Sequence, residues 1–96
     1  MGTPITVLNT YSLGTCGKPP IPATTSLNST VKCGGIPVVV AGSYWGFHCS
    51  GDDCHTETAV RGSSTVMIEN RQVMNKGSSL LHGDTSGIGN STVLIG

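Results

Sequence analysis

A chain of 96 residues with 14 glycines, 36% apolar residues and only three kinds of aromatic side chain, four residues in all, cannot build a wide conventional core. At this length roughly two-thirds of the unfolded surface is buried on folding, so a single domain over 1–96 calls for a staple or a partner to dock on. Five basic and five acidic residues cancel, which leaves no basic patch for nucleic acid and no polybasic run for anionic lipid. A long apolar run and a charged-then-apolar leader are both missing, so neither a transmembrane helix nor a signal peptide is expected.

Along the chain, Ile5-Thr6-Val7-Leu8 reads as a short strand, and Gly14-Thr15 as a corner after it. Pro19, Pro20 and Pro22 mark an extended loop. From Ser29 to Cys33 a second strand runs into Gly34-Gly35, a tight turn, and returns through Val38–Val40 to Gly42-Ser43. Tyr44-Trp45-Gly46-Phe47 holds three of the four aromatic residues and is expected to pack beneath the loop that carries His48; exposed, it would be a partner-binding patch. The Gly51-Asp52-Asp53 stretch is a solvated loop. Thr65-Val66-Met67-Ile68, the turn Glu69-Asn70 and the return Gln72–Met74 then lead to Gly77-Ser78, and Thr92-Val93-Leu94-Ile95 is the last strand. No segment has a 3.6-residue apolar period, so little or no helix is expected.

These elements repeat. Residues 62–69 align without gaps on 89–96 at an offset of 27, which also carries His55 onto His82. Residues 29–43 align without gaps on 64–78 at an offset of 35, and Thr6-Val7 with Gly14-Thr15 resembles a truncated first copy. The unit is strand, two-residue turn, strand, Gly-Ser/Thr, then a variable loop. Asn28-Ser29-Thr30 and Asn90-Ser91-Thr92 fit the glycosylation pattern, but both fall on repeat strands.

The succession of strand, Asn/Gly turn, strand, Gly-Ser and a His-Gly loop resembles the PAAR repeat. The closest stretch runs from Ser64 through Asn70-Arg71-Gln72-Val73, Lys76-Gly77-Ser78 and His82-Gly83 to Gly96. The Pro-Ala-Ala-Arg tetrapeptide itself is replaced, by Gln72-Val73-Met74-Asn75 and Pro37-Val38-Val39-Val40. The resemblance implies an all-β fold: a small tapered pyramid of three pseudo-repeated short β-hairpins with a metal-bound vertex. It implies a structural role, capping a trimeric β-helical spike (a phage central spike or a VgrG-like one) with one copy per trimer, in transient contact with the target membrane. The setting would be a virion tail tip or a type VI secretion apparatus. Such proteins are not enzymes unless an effector domain is fused, and none is expected after Gly96. A zinc-stabilised adaptor that binds protein or glycan through its loops is the alternative.

The same resemblance implies a vertex zinc held by three His and one Cys. His48 lies five residues after Gly42-Ser43 and His82 four after Gly77-Ser78; His55 matches His82, and Cys16-Gly17 parallels His82-Gly83. Cys16, His48, His55 and His82 are therefore the expected metal ligands, with zinc as the ion and iron as the alternative that imidazole also suits. Cys49 and Cys54 rival Cys16: they are able to ligate metal, form a disulfide or stay free. Cys33 aligns with Ile68 and reads as a small buried hydrophobe.

Overall fold

The computed structural model describes residues 2–13, 20–28, 30–81 and 83–95. In chain order these form β1 (Thr3–Ile5), β2 (Ser12–Leu13), β3 (Ala23–Thr25), β4 (Lys32–Cys33), β5 (Ile36–Pro37) and β6 (Tyr44–Ser50). They continue with β7 (Asp53–Arg61), β8 (Met67–Ile68), β9 (Arg71–Gln72), β10 (Ser79–Leu80), β11 (Thr85–Ser86) and β12 (Asn90–Ile95). No helix occurs among the described residues, as the absence of a helical period predicts.

Two of the predicted hairpins form as read. Lys32 pairs with Pro37 across Gly34-Gly35, and Met67 with Gln72 across Glu69-Asn70; all four turn residues have positive φ, which a two-residue hairpin turn of this hand requires. The first copy is not truncated. Its hairpin is assembled from β1 and β12, where Pro4 pairs with Leu94 and Thr3 with Ile95. The expected last strand, Thr92–Ile95, thus finds its partner in β1, whereas of the strand expected over Ile5–Leu8 only Ile5 pairs there, and Thr6 and Leu8 bond to Met74 and Pro37 instead.

Three backbone hydrogen bonds then close a ring. Thr6 N–H donates to the Met74 carbonyl (3.0 Å), Met74 N–H to Val39 (2.9 Å) and Val39 N–H to Thr6 (2.9 Å). A second ring runs parallel to it, from Leu8 to Pro37, Ala41 to Gln72 and Lys76 to Pro4, at 3.0, 2.8 and 2.9 Å. Each arm ends in the same corner: Thr10, Ser43 and Ser78 donate back to the carbonyls of Val7, Val40 and Asn75. The residue before each of them, Asn9, Gly42 or Gly77, has φ of 73°, 92° or 88°, a left-handed conformation that Gly and Asn tolerate. The first corner is therefore Asn9-Thr10, not Gly14-Thr15. The latter pair lies outside the described residues.

Side chains alternate across these arms, so the ring separates two cores. Val38, Val40, Val73, Ile5 and Val7 point to one side, where Cys33, Ile68 and Ile95 of the hairpins cover them. Val39 and Met74 point to the other and meet Trp45, Ala59, Leu80 and Ile21. Three excursions leave the corners on that second side. They build a six-stranded sheet of order β2-β11-β10-β7-β6-β3.

The two glycosylation-like triplets have a structural use. Asn28 Oδ1 accepts from the N–H groups of Thr30 and Val31, and Asn90 Oδ1 from that of Thr92; Ser63 Oγ does the same for Thr65 and Val66. The motif is the side-chain cap that opens each repeat.

Candidate metal centre

The second excursion is the longest. Strands β6 and β7 pair Phe47 with Thr56, His48 with His55, Cys49 with Cys54 and Ser50 with Asp53, around a turn at Gly51 (φ 62°) and Asp52. A bulge lies between Tyr44 and Phe47. Strict alternation would send Trp45 and His48 to opposite faces; the extra residue lets both point inward. Trp45 is 1% and His48 3% exposed, whereas Tyr44 and Phe47 stand 50% and 63% exposed. The aromatic cluster is thus divided: Trp45 is buried in the core with Ile21, Ala59 and Leu80, its indole N–H on the Thr10 carbonyl, and the other two face solvent.

On the inner face of β7, His55 and Glu57 are two residues apart and point the same way. The Nε2 atoms of His48 and His55 are 2.7 Å from each other, and the Glu57 Oε2 lies 3.1 Å from the first and 2.7 Å from the second. The rings meet edge to face with centroids 4.6 Å apart. Asp84, from the excursion between β10 and β11, brings its Oδ2 to 3.9 Å from His48 Nε2. Two excursions therefore converge on one spot. Glu57 and Asp84 are both fully buried.

The chemistry of this triangle points to a cation. An imidazole nitrogen is either a donor or an acceptor, never both. With the carboxylate ionised, any placement of protons on the two Nε2 atoms turns at most two of the three short contacts into hydrogen bonds. A cation at their meeting point accepts a lone pair from all three atoms. Burial of a carboxylate also calls for a compensating positive charge. Two imidazoles and a carboxylate, whose ligand atoms lie within 4.8 Å of one another, form a group fit to hold a metal ion. Such a donor set suits zinc and divalent iron alike.

Of the four ligands expected from sequence, His48 and His55 are brought together; Cys16 and His82 lie outside the described residues. Glu57 was not anticipated. The offset of 27 that carries His55 onto His82 also carries Glu57 onto Asp84, and this repeated acidic position two residues after a His is the sequence signal that points to it. Cys49 and Cys54 are bonded to each other as a disulfide. Cys33 is a free, half-buried thiol packed against the core on the other side of the ring.

Compared with known families, the chain matches the family model described as PAAR motif over residues 15–86. The match spans the corners at Gly42-Ser43 and Gly77-Ser78, both continuous hairpins and the whole β6–β7 excursion, and leaves out the Asn9-Thr10 corner, β1, β2 and β12. No curated protein matches the chain.

Proposed function

We propose that this chain, which belongs to the PAAR-motif family, is the structural tip that caps a trimeric β-helical spike and sharpens it for penetration of an envelope. The observation that carries the reading is the ring of Thr6, Val39 and Met74, in which one chain imitates three-fold symmetry with three hairpins and three excursions. A single copy then offers equivalent faces to each subunit of a trimer, which a chain without internal symmetry cannot do. The hairpin side, with β1, β12 and the two continuous hairpins, is the docking base. The excursion side, with the metal group, is the point.

A point has little interior, so apolar burial holds it poorly. A structural metal contributes on the order of 10 kcal/mol of folding free energy, comparable to the whole stability of a typical domain. His48, His55 and Glu57 would hold that ion, with His82 and Cys16 as the further ligands that the family resemblance implies. Zinc is the proposed metal and iron the alternative. A coordination sphere filled by protein leaves no position for substrate, so the role is structural and no turnover is expected. The spike belongs to a phage tail or a type VI secretion apparatus.

The test is to mix the chain with a trimeric spike from the same source and measure the mass of the complex. One copy per trimer is expected, with an affinity that barely responds to salt, because the chain carries little charge. Three copies per trimer, or binding through the β6–β7 hairpin, would overturn the reading.

A further inference from the structure

The far half of the β6–β7 hairpin extends beyond the strands that flank it in the sheet. Strand β3 pairs only with Tyr44 and Trp45, and β10 only with Ala59 and Arg61. From His48 to His55 the described ladder is two strands wide. Two-stranded ribbons are marginal in water, yet this one must hold two imidazoles against Glu57.

The Cys49–Cys54 disulfide lies within that ribbon, with Cα atoms 4.0 Å apart, and is the next pair in register after His48 and His55. Side chains alternate, so the sulfurs occupy the face opposite the imidazoles. The thiols are thus kept away from the metal group while their bond pins the strands that carry it. The bond closes a very short ring, so its contribution through chain entropy to the whole fold is small. Its effect is local. Cys54 is exposed and Cys49 half-buried, so a solvent thiol reaches the bond.

We propose that the Cys49–Cys54 disulfide is a redox lock on the metal centre: closed, it holds His48 and His55 in place and slows metal loss; open, it lets the ribbon fray and the metal exchange. The proposal rests on the metal reading of His48, His55 and Glu57. Opening needs a small-molecule thiol of the glutathione class. Its thiolate attacks one sulfur, the S–S bond breaks, and the other cysteine leaves as a thiolate that takes a proton from water. A second thiol resolves the mixed disulfide, freeing the second cysteine and releasing the small-molecule disulfide. Two electrons pass from the two thiols to the protein, and glutathione disulfide runs the exchange backwards. In a thiol-rich compartment the lock is open during metal loading; in an oxidising one it is closed.

The experiment loads the protein with zinc and follows its release into an excess of chromogenic chelator. The oxidised protein, the reduced protein and a Cys49→Ser/Cys54→Ser double variant are compared. All three should start with equal zinc per chain. Release should be at least about tenfold faster from the reduced protein and the variant, as for loss of an outer contact that orients a ligand. Glutathione disulfide should restore slow release to the reduced wild type and not to the variant. Equal rates from zinc-loaded protein in both redox states would overturn the lock alone, as would slower release after reduction, which would mean that the thiols had joined the metal. Failure of the oxidised and reduced proteins alike to take up zinc would overturn the metal reading, and the lock with it. Should the double variant not fold, the wild-type comparison decides.

Discussion

Leu94 stands opposite Pro4 in the β1–β12 pair, the place that Lys32–Pro37 and Met67–Gln72 fill in the other two hairpins. Those two are closed by turns, Gly34-Gly35 and Glu69-Asn70. The third has no turn to close it, so it opens at a lower cost. Hydrogen exchange reads this directly, because the ring bond to Pro4 comes from the Lys76 N–H and the equivalent bond to Gln72 from the Ala41 N–H. The Lys76 amide is expected to exchange at least about tenfold faster than that of Ala41, as local opening below the global limit allows. Equal protection would show that the β1–β12 pair is as tight as a covalent hairpin.

The offset of 27 begins at Gly62 and Gly89, and packing explains why. A Cβ on Gly62 would lie 2.3 Å from the Val73 carbonyl oxygen, and one on Gly89 would lie 2.3 Å from that of Ile5. Each glycine lets a cap pass over the arm of its own hairpin. Gly62→Ala and Gly89→Ala must displace backbone and are expected to cost about 3 kcal/mol or more. Gly77→Ala meets no atom within 4 Å and has only its φ of 88° to bear, a cost of about 1–2 kcal/mol. Denaturant midpoints of the three variants check the order.

Two methionines of the same repeat separate core from surface. Met74 is fully buried against Trp45 and its neighbours, while Met67 is 56% exposed. Met74→Ala should destabilise by about 2–5 kcal/mol, and Met67→Ala by less than about 0.5 kcal/mol. Thermal unfolding of both variants tests whether the ring, where Met74 also donates its N–H to Val39, encloses the main core.

The hairpins were legible because their turns sit at fixed offsets and their strands are β-branched and apolar. The first corner was not: Asn9 adopts the left-handed conformation that Gly42 and Gly77 adopt, but Asn9-Thr10 lacks the Gly-Ser spelling that marks the others. Nor does any local signal announce that β12 completes β1, since their partnership depends on the ring. At the site, alternation places His55 beside Glu57, but it would separate Trp45 from His48. Only the bulge between Tyr44 and Phe47 reunites them, and a bulge leaves no periodic trace. The paired cysteines could be read three ways until the register set them opposite each other.

Glu57 distinguishes a metal centre from a pair of histidines that merely pack. Its carboxylate is fully buried, 2.7 Å from His55 Nε2 and 3.1 Å from His48 Nε2. If the three atoms share an ion, the purified protein should contain about one zinc per chain by elemental analysis, and chelation should lower its melting temperature sharply. Glu57→Gln keeps the size and removes the charge; it should weaken zinc retention at least tenfold and leave the metal-free melting temperature nearly unchanged. His48→Ala should abolish retention at low zinc concentration. Cys33→Ser should leave the metal content untouched, because Cys33 packs on the opposite side of the ring. Cys16→Ser separates a thiolate-completed site from one finished by other donors: a drop in affinity assigns the thiolate to Cys16. A protein that is metal-free as purified, unmoved by chelator and destabilised by Glu57→Gln would instead make the triangle a protonated, hydrogen-bonded cluster, and the tip would then owe its rigidity to the β6–β7 hairpin alone.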